Sequence, residues 1–272
     1  MAVRHMNWTN SLAQVYRVLF ARKRFWRLNK FLFLLSLRGL GVLNYENDRV
    51  SGEDWFLNHL AKKDAFLTIF DVGANKGRYS QSVRTVYPNS KVYAFEPHPT
   101  TFQVLKVVAE KYNFVPLNLG CSDVAGTFEL YDYSQESNGS EHASLYRDVI
   151  EQTHKAPAKS WQIALTTVDD FVEQHNINKI DLLKIDTEGN EFRVLRGAQA
   201  LINAGRITNI HFEFNEMNVI SRVFFKDFYE ELPQYAFYRM LPDGVVPLKS
   251  YDPLSQEIFA FQNIVAVHSG SS

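Results

Sequence analysis

The chain alternates between two hydrophobic periods. Almost wholly apolar runs stand at 66–70 (FLTIF), 91–96 (KVYAFE), 114–120 (FVPLNLG), 179–185 (KIDLLKI) and 207–214 (ITNIHFEF). Between them, apolar residues recur at helical spacing over about 76–87, 99–112, 167–175 and 189–204. A continuous apolar run predicts a strand covered on both faces. Strands alternating with helices predict βαβ units and a parallel sheet. Pro88 closes the first of these helices, and Thr166 and Thr167 with Asp169 and Asp170 open the third. Near the end, YAFYRMLPDGVVPLKS predicts two strands about Pro242-Asp243-Gly244, and FQNIVAVH predicts a last strand. Residues 134–160 break the rhythm. They are polar and irregular, the pattern of a long functional loop.

The first 50 residues read differently. Leu12, Val15, Tyr16 and Leu19 fall at helical spacing, and FARKRFWRLNKFLFLLSL then mixes basic, aromatic and aliphatic side chains. The expected organisation is a basic, amphipathic helical extension over 1–50, one α/β domain over 51–268 and a disordered tail over 269–272. Ser51 is the expected N-cap of the domain's first helix, with Glu53 and Asp54 in its first turn.

Charge sharpens that division. The net charge of −1 hides eight Lys and Arg among residues 1–45, where there is no acid, so the remainder is distinctly acidic. A basic, aromatic arm suits an anionic membrane surface, met through residues 11–43. The competing reading is a helix packed over the domain. Nucleic acid is not an expected partner of an acidic body. The apolar run 31–37 is too short to span a bilayer and is not placed as a secretory signal. A cytoplasmic protein, peripheral at the inner membrane surface, is therefore expected. The single cysteine, Cys121, allows no internal disulfide.

Candidate chemistry gathers at the strand ends, where open parallel sheets bind ligands. The first end is Asp71-Val72-Gly73-Ala74-Asn75-Lys76-Gly77, and the second carries Glu96 before Pro97. An acid about 20 residues beyond a glycine turn suits a ribose diol. The third end offers Ser122 and Asp123 for an adenine edge. The fourth, KIDTEGNE, carries Lys184, Asp186, Glu188 and Glu191, and on the fifth His211 and Glu213 share one strand face. An adenosine-type ligand follows. Asp71 would repel a diphosphate but welcome a sulfonium or ammonium, which favours S-adenosylmethionine over a nicotinamide dinucleotide.

FDVGANKGRYS, YAFEPHPTTFQVL, TTVDDF, KIDTEGNEFRVLRGA and FEFNE stand in unbroken order over about 67–216, and NIVAV follows near the end. In these motifs the chain resembles the FkbM-type S-adenosylmethionine-dependent methyltransferases. The resemblance implies an α/β, Rossmann-like, seven-stranded, mostly parallel sheet with the last strand antiparallel and helices on both faces. It also implies methylation of a hydroxyl on a sugar, glycan or related metabolite. Cofactor contacts are then expected from Asp71, Gly73, Asn75, Gly77, Glu96, Ser122, Asp123 and Asp186. Asp186 and His211 are the candidate bases, with Glu213 orienting His211 or holding the acceptor and Glu188 lining the pocket. No metal is expected, since neither an H-x-x-E nor a paired-His spacing is present. The other readings are a non-catalytic module that binds S-adenosylmethionine or a nucleotide, and an NAD-type enzyme.

Overall fold

A computed structural model describes residues 5–133, 143–153 and 155–270. It divides into two units, Met1–Leu43 and Asn44–Ser272, so the body takes in residues expected in the extension. In the first unit, helix α1 covers His5–Phe20 and α2 covers Trp26–Gly39. Tyr16 Oη donates to Asn29 Oδ1 at 2.6 Å, and Asn29 Nδ2 donates to the Phe20 carbonyl at 3.0 Å, tying the two helices together. Most of their apolar side chains are exposed, among them Trp26 at 70%, Phe31 at 56% and Phe33 at 58%. Among the described residues, no helix is long and apolar enough to cross a membrane.

The second unit begins with α3 (Asp48–Ser51) and α4 (Glu53–His59). Ser51 ends the first rather than capping the second; Asn47 caps α3, and Gly52 separates the two helices. There follow β1 (Thr68–Val72), α5 (Arg78–Val86), β2 (Lys91–Phe95), α6 (Pro99–Tyr112), β3 (Val115–Leu117), β4 (Gly120–Cys121) and β5 (Gly126–Tyr133). Next come β6 (Ala158–Thr166), α7 (Val168–Gln174), β7 (Ile180–Ile185), α8 (Glu191–Arg196), α9 (Gln199–Asn203) and β8 (Ile207–Phe214). The chain closes with α10 (Met217–Ser221), α11 (Phe225–Glu231), β9 (Tyr235–Leu241), β10 (Gly244–Leu248), α12 (Pro253–Gln256) and β11 (Gln262–His268).

The main sheet runs β10-β9-β11-β8-β7-β1-β2-β3. Strands β3, β2, β1, β7 and β8 are parallel, and the last strand, β11, is inserted antiparallel between β8 and β9, as expected. An eighth strand, β10, extends the edge as a hairpin with β9. Alternation puts Phe70, Phe95, Leu183 and Phe212 on one face under α7, α8, α9 and α11. Ile69, Val92, Ala94 and Leu182 face α4, α5 and α6.

The irregular stretch conceals structure. β5 and β6 pair antiparallel and join β4 in a second, three-stranded sheet. One face of that sheet packs around Leu130, Ile163 and Leu165, and on the other only Tyr131, Tyr133 and Ala158 at one end pack against Val149, Ile150 and Met217, so its strands lack the long apolar runs of the main sheet. Residues 134–142 of the expected loop lie outside the described residues, as do 271–272 of the tail. The helix expected over 189–204 is two helices, α8 and α9, with Gly197 between them.

Candidate active site

Two cavities open at the carboxyl ends of the parallel strands. The narrower, about 80 Å³, lies between the tips of β1 and β2 and the small sheet; Glu96, Pro97, Cys121, Leu130, Ile163 and Leu165 are among its walls. The wider, about 550 Å³, spreads over β7 and β8 toward α3–α5, with Tyr45, Glu53, Tyr79, Lys184, Glu213 and Phe261 among its walls. They meet at Gly73, Asn75, Asp186 and Glu188, which line both.

The opening turn is shaped by close approach. Gly73 has φ +81°, and a Cβ there would lie 1.7 Å from the Asp186 carbonyl oxygen, so only glycine lets the β1 and β7 tips meet. Asn75 follows at φ 48° and its backbone N–H donates to Glu96 Oε2 at 2.9 Å; the His98 N–H donates to Glu96 Oε1 at 2.7 Å. Backbone dipoles thus fix the Glu96 carboxyl at the cavity wall. Burial nonetheless pushes it up to about 7.

The KIDTEGNE turn is held from within. Glu191 is buried and accepts from the Thr187 N–H at 2.8 Å, the Thr187 hydroxyl at 3.0 Å and the Gly189 N–H at 3.1 Å. The turn places Glu188 at φ 53° on the shared wall of the cavities. Ser144 Oγ donates to the Glu188 carbonyl at 2.7 Å, joining the turn to the segment beside the small sheet.

Under the wider cavity the strands are in register: Asp71 is opposite Lys184, and Lys184 is opposite His211. All three belong to the α4–α5 face. Lys184 Nζ lies 3.0 Å from Asp186 Oδ2 and 3.5 Å from Asp71 Oδ1. Burial opposes its charge, but Asp186, Asp71 and Glu53 together hold the ammonium well above the ordinary lysine range. Glu213 is raised as well, which here favours the neutral form: burial, then Asp186 and Glu188, hold its carboxyl protonated well above the usual range.

Several expected contacts are corrected by this geometry. Asp71 is fully buried, accepts from Ser80 Oγ at 2.7 Å and lines neither cavity; its charge meets Lys184, not a ligand. Gly77 faces α6, where a Cβ would lie 2.8 Å from Leu105. Ser122 is buried with its hydroxyl on Asp123 at 3.2 Å, and Asp123 is paired with Arg193 at 2.8 Å, so Cys121 and Asn190 line the cavity in their place. His211 is 1% exposed and lines neither cavity. Its Nε2 lies 3.1 Å from Asn263 Oδ1, which only accepts, so Nε2 carries the proton; Nδ1 faces the Tyr79 hydroxyl at 3.3 Å. Burial drops it to about 4, so the ring is neutral at pH 7. Gly73, Asn75, Glu96, Asp186, Glu188 and Glu213 stand at the cavities as expected. Among the described residues, no cluster of His, Cys, Asp or Glu could hold a metal ion.

The sequence reading missed Glu53, Tyr45 and Phe261. They come from outside the glycine and acid motifs, and only the folded chain brings them to the β7 and β8 tips. The paired Glu53 and Asp54 were legible as a helix start, which is also the commoner meaning of that pattern.

A mostly parallel sheet of this order, with an acid just past β2 and acids at the tips of β7 and β8, has the architecture of the Rossmann-like group transferases. Residues 71–239 match the methyltransferase FkbM domain, and the chain belongs to that family. Its methyl donor is S-adenosylmethionine, which sets the nicotinamide reading aside. The chain is 30% identical over 132 residues to the hexuronic acid methyltransferase AglP of Haloferax volcanii, a match covering 47% of this chain and 48% of that one. It is 29% identical over 153 residues to the 31-O-demethyl-FK506 methyltransferase FkbM of Streptomyces tacrolimicus, covering 48% of this chain and 59% of that one. The chain thus spans about half the length of these relatives. Among solved structures, a SAM-dependent O-methyltransferase from Thermotoga maritima matches at a TM-score of 0.40 and 11% identity, covering 79% of this chain and 64% of that one.

The residues present fit the donor. Glu96 offers a fixed carboxylate for a ribose, and Leu130, Ile163 and Leu165 offer apolar walls for a purine. Asp186 and Glu188 at the junction suit the cationic end.

Proposed function

We propose that this protein transfers a methyl group from S-adenosylmethionine to a hydroxyl of a sugar, glycan or similar polyhydroxylated acceptor. The observation that carries the reading is the junction: a ribose-ready cavity and a carboxyl-rich cavity share Gly73, Asn75, Asp186 and Glu188. Bound there, S-adenosylmethionine supplies an electrophilic methyl carbon. The chain's own groups hold and orient. Glu96 receives the ribose hydroxyls, worth ~1.5–3 kcal/mol for each charge-assisted bond.

On the other side, carboxyl groups accept from acceptor hydroxyls, and Tyr45, edge-on to Phe261 at 6.1 Å, offers a ring face at the rim. Holding two reactants aligned supplies ~7–11 kcal/mol of a barrier. A non-catalytic binder has no use for the second cavity. One relative is named for hexuronic acid and another for 31-O-demethyl-FK506, two hydroxylated acceptors. Even with Glu213 protonated, Asp48, Glu53, Asp186, Glu188 and Glu216 outnumber Lys76, Arg78 and Lys184 in the wider cavity, which disfavours an anionic acceptor here. The test is S-adenosylhomocysteine release with methyl glucoside, methyl rhamnoside and methyl glucuronide, with the O-methyl product read by mass spectrometry. Turnover with the neutral glycosides supports the reading; S-adenosylhomocysteine release from none of them contradicts it.

The basic extension meets an anionic membrane in this reading. Phe31, Leu32, Phe33, Leu34 and Leu35 are all exposed, and five consecutive residues encircle a helix. Hydrocarbon covers such a belt on every side, while Arg22, Lys23, Arg24, Arg27 and Lys30 sit at its amino end for lipid phosphates. The full chain should float with phosphatidylglycerol vesicles and weakly with phosphatidylcholine alone. A Phe31→Ser/Phe33→Ser chain should lose flotation; equal flotation of both chains contradicts the contact.

A further inference from the structure

The segment ahead of the family match supplies a wall of the wider cavity. Gly52 has φ +90°, and a Cβ there would lie 2.6 Å from the Leu241 carbonyl oxygen, so α3 and α4 are pinned against β9. The next residue is Glu53, whose side chain lines the cavity. Ser51 Oγ reaches Glu53 Oε2 at 3.0 Å, the shorter of its two contacts beside the Asp48 carbonyl at 3.2 Å, and so engages one oxygen of the carboxyl. Glu53 Oε1 lies 4.0 Å from His211 Nε2, beyond hydrogen-bond reach, and that Nε2 proton points to Asn263. One carboxylate oxygen is therefore left for a ligand in the cavity.

We propose that Glu53 receives the proton of the acceptor hydroxyl. This rests on the methyltransferase reading and adds to it the proton acceptor. As the hydroxyl oxygen bonds to the methyl carbon, its O–H bond breaks and the proton passes to a Glu53 oxygen. The electron pair of the C–S bond stays with sulfur, and Glu53 returns the proton to water after product leaves.

Two neighbouring carboxyls of the cavity, Asp186 and Glu213, are less suited. Asp186 is held by the Lys184 ammonium at 3.0 Å. Glu213 keeps its own proton through burial and its acidic neighbours. Glu53 faces Asp48 on α3, Tyr79 on α5, Lys184 and Asp186 on β7 and its tip, and His211 and Glu213 on β8. Burial, only partly offset by Lys184, brings it to about 7, the range in which a base works best at neutral pH.

The experiment uses the full-length chain, the Glu53→Gln chain and methyl glucoside as acceptor probe. A positioned base contributes ~10²–10⁴-fold, so Glu53→Gln should lose that much kcat while S-adenosylhomocysteine affinity stays within about twofold. The wild-type rate should fall below pH 7, where Glu53 is protonated. Independently of turnover, the Glu53 carboxyl carbon, assigned by its loss in Glu53→Gln, should titrate near 7 by NMR. Should Glu53→Gln fail to bind S-adenosylhomocysteine, Ser51→Ala decides: losing the hydroxyl should move the acid limb to higher pH, and an unmoved limb overturns the proposal. Near-normal kcat in Glu53→Gln beside an active wild type also overturns it and leaves the methyltransferase reading standing. A wild type that binds S-adenosylhomocysteine but methylates nothing sinks that reading and this proposal together, even where the carboxyl titrates near 7.

Discussion

The two cavities are built by different means. In the narrower one, the ligand-facing acid is held by backbone: Glu96 takes the N–H groups of Asn75 and His98, both close to it in the βαβ unit. In the wider one, side chains hold side chains across long sequence distances. Lys184 ties Asp71 to Asp186, and Glu53 comes from a helix far ahead of the strand tips it faces. Backbone-held geometry follows from a local motif and tolerates change around it. A side-chain network depends on each member, because a buried charge without its partner is costly. The proposed donor site in the narrower cavity and the proposed acceptor site in the wider one follow that division.

Removing Lys184 should therefore have the largest effect. Lys184→Met leaves Asp71, fully buried, with no cation beside it. Breaking a buried pair from one side costs ~3–5 kcal/mol, read as a lower urea midpoint at unchanged slope. A loss under about 1 kcal/mol would mean that the network is not what holds the wider cavity.

Glu96→Ala probes the other cavity. It should weaken S-adenosylhomocysteine binding about 100-fold by calorimetry and, because the Asn75 and His98 N–H groups lose their acceptor, also cost ~1–3 kcal/mol of stability. Because burial pushes Glu96 up to about 7, it protonates as pH falls through 7 and loses acceptor capacity. Wild-type affinity should then decline toward acid by up to about tenfold per pH unit, and the variant should show no such dependence. An equal pH dependence in both chains would remove Glu96 from the ribose.

His211→Gln should do least. The histidine is neutral at pH 7, is engaged by Asn263 and Tyr79, and lines neither cavity. Turnover should fall less than tenfold; a loss of 10²-fold or more would restore His211 as the base and displace Glu53.

The same contrast explains what the sequence could reveal. The parallel strands were legible because strands covered on both faces are continuously apolar, and the donor side was legible because Gly73, Asn75 and Glu96 fall in contiguous motifs. The small sheet was not, since β5 and β6 mix exposed polar residues with their apolar ones and border a polar stretch. Asp71 and His211 stand at the expected strand ends, but they lie buried beneath the cavities and not in their walls. Register sets Asp71, Lys184 and His211 side by side, so they meet one another before any ligand. Glu53 carried no signal beyond that of a helix start, because its role exists only once Gly52 packs α4 against β9.

A crystal structure of the full chain with S-adenosylhomocysteine and methyl glucoside tests the shared junction most directly. The account predicts the ribose on Glu96, the sulfur beside Gly73, Asn75, Asp186 and Glu188, and a glucoside hydroxyl on the Glu53 side of that sulfur. A thioether sulfur lying away from those four residues, or a glucoside bound outside the wider cavity, would contradict it.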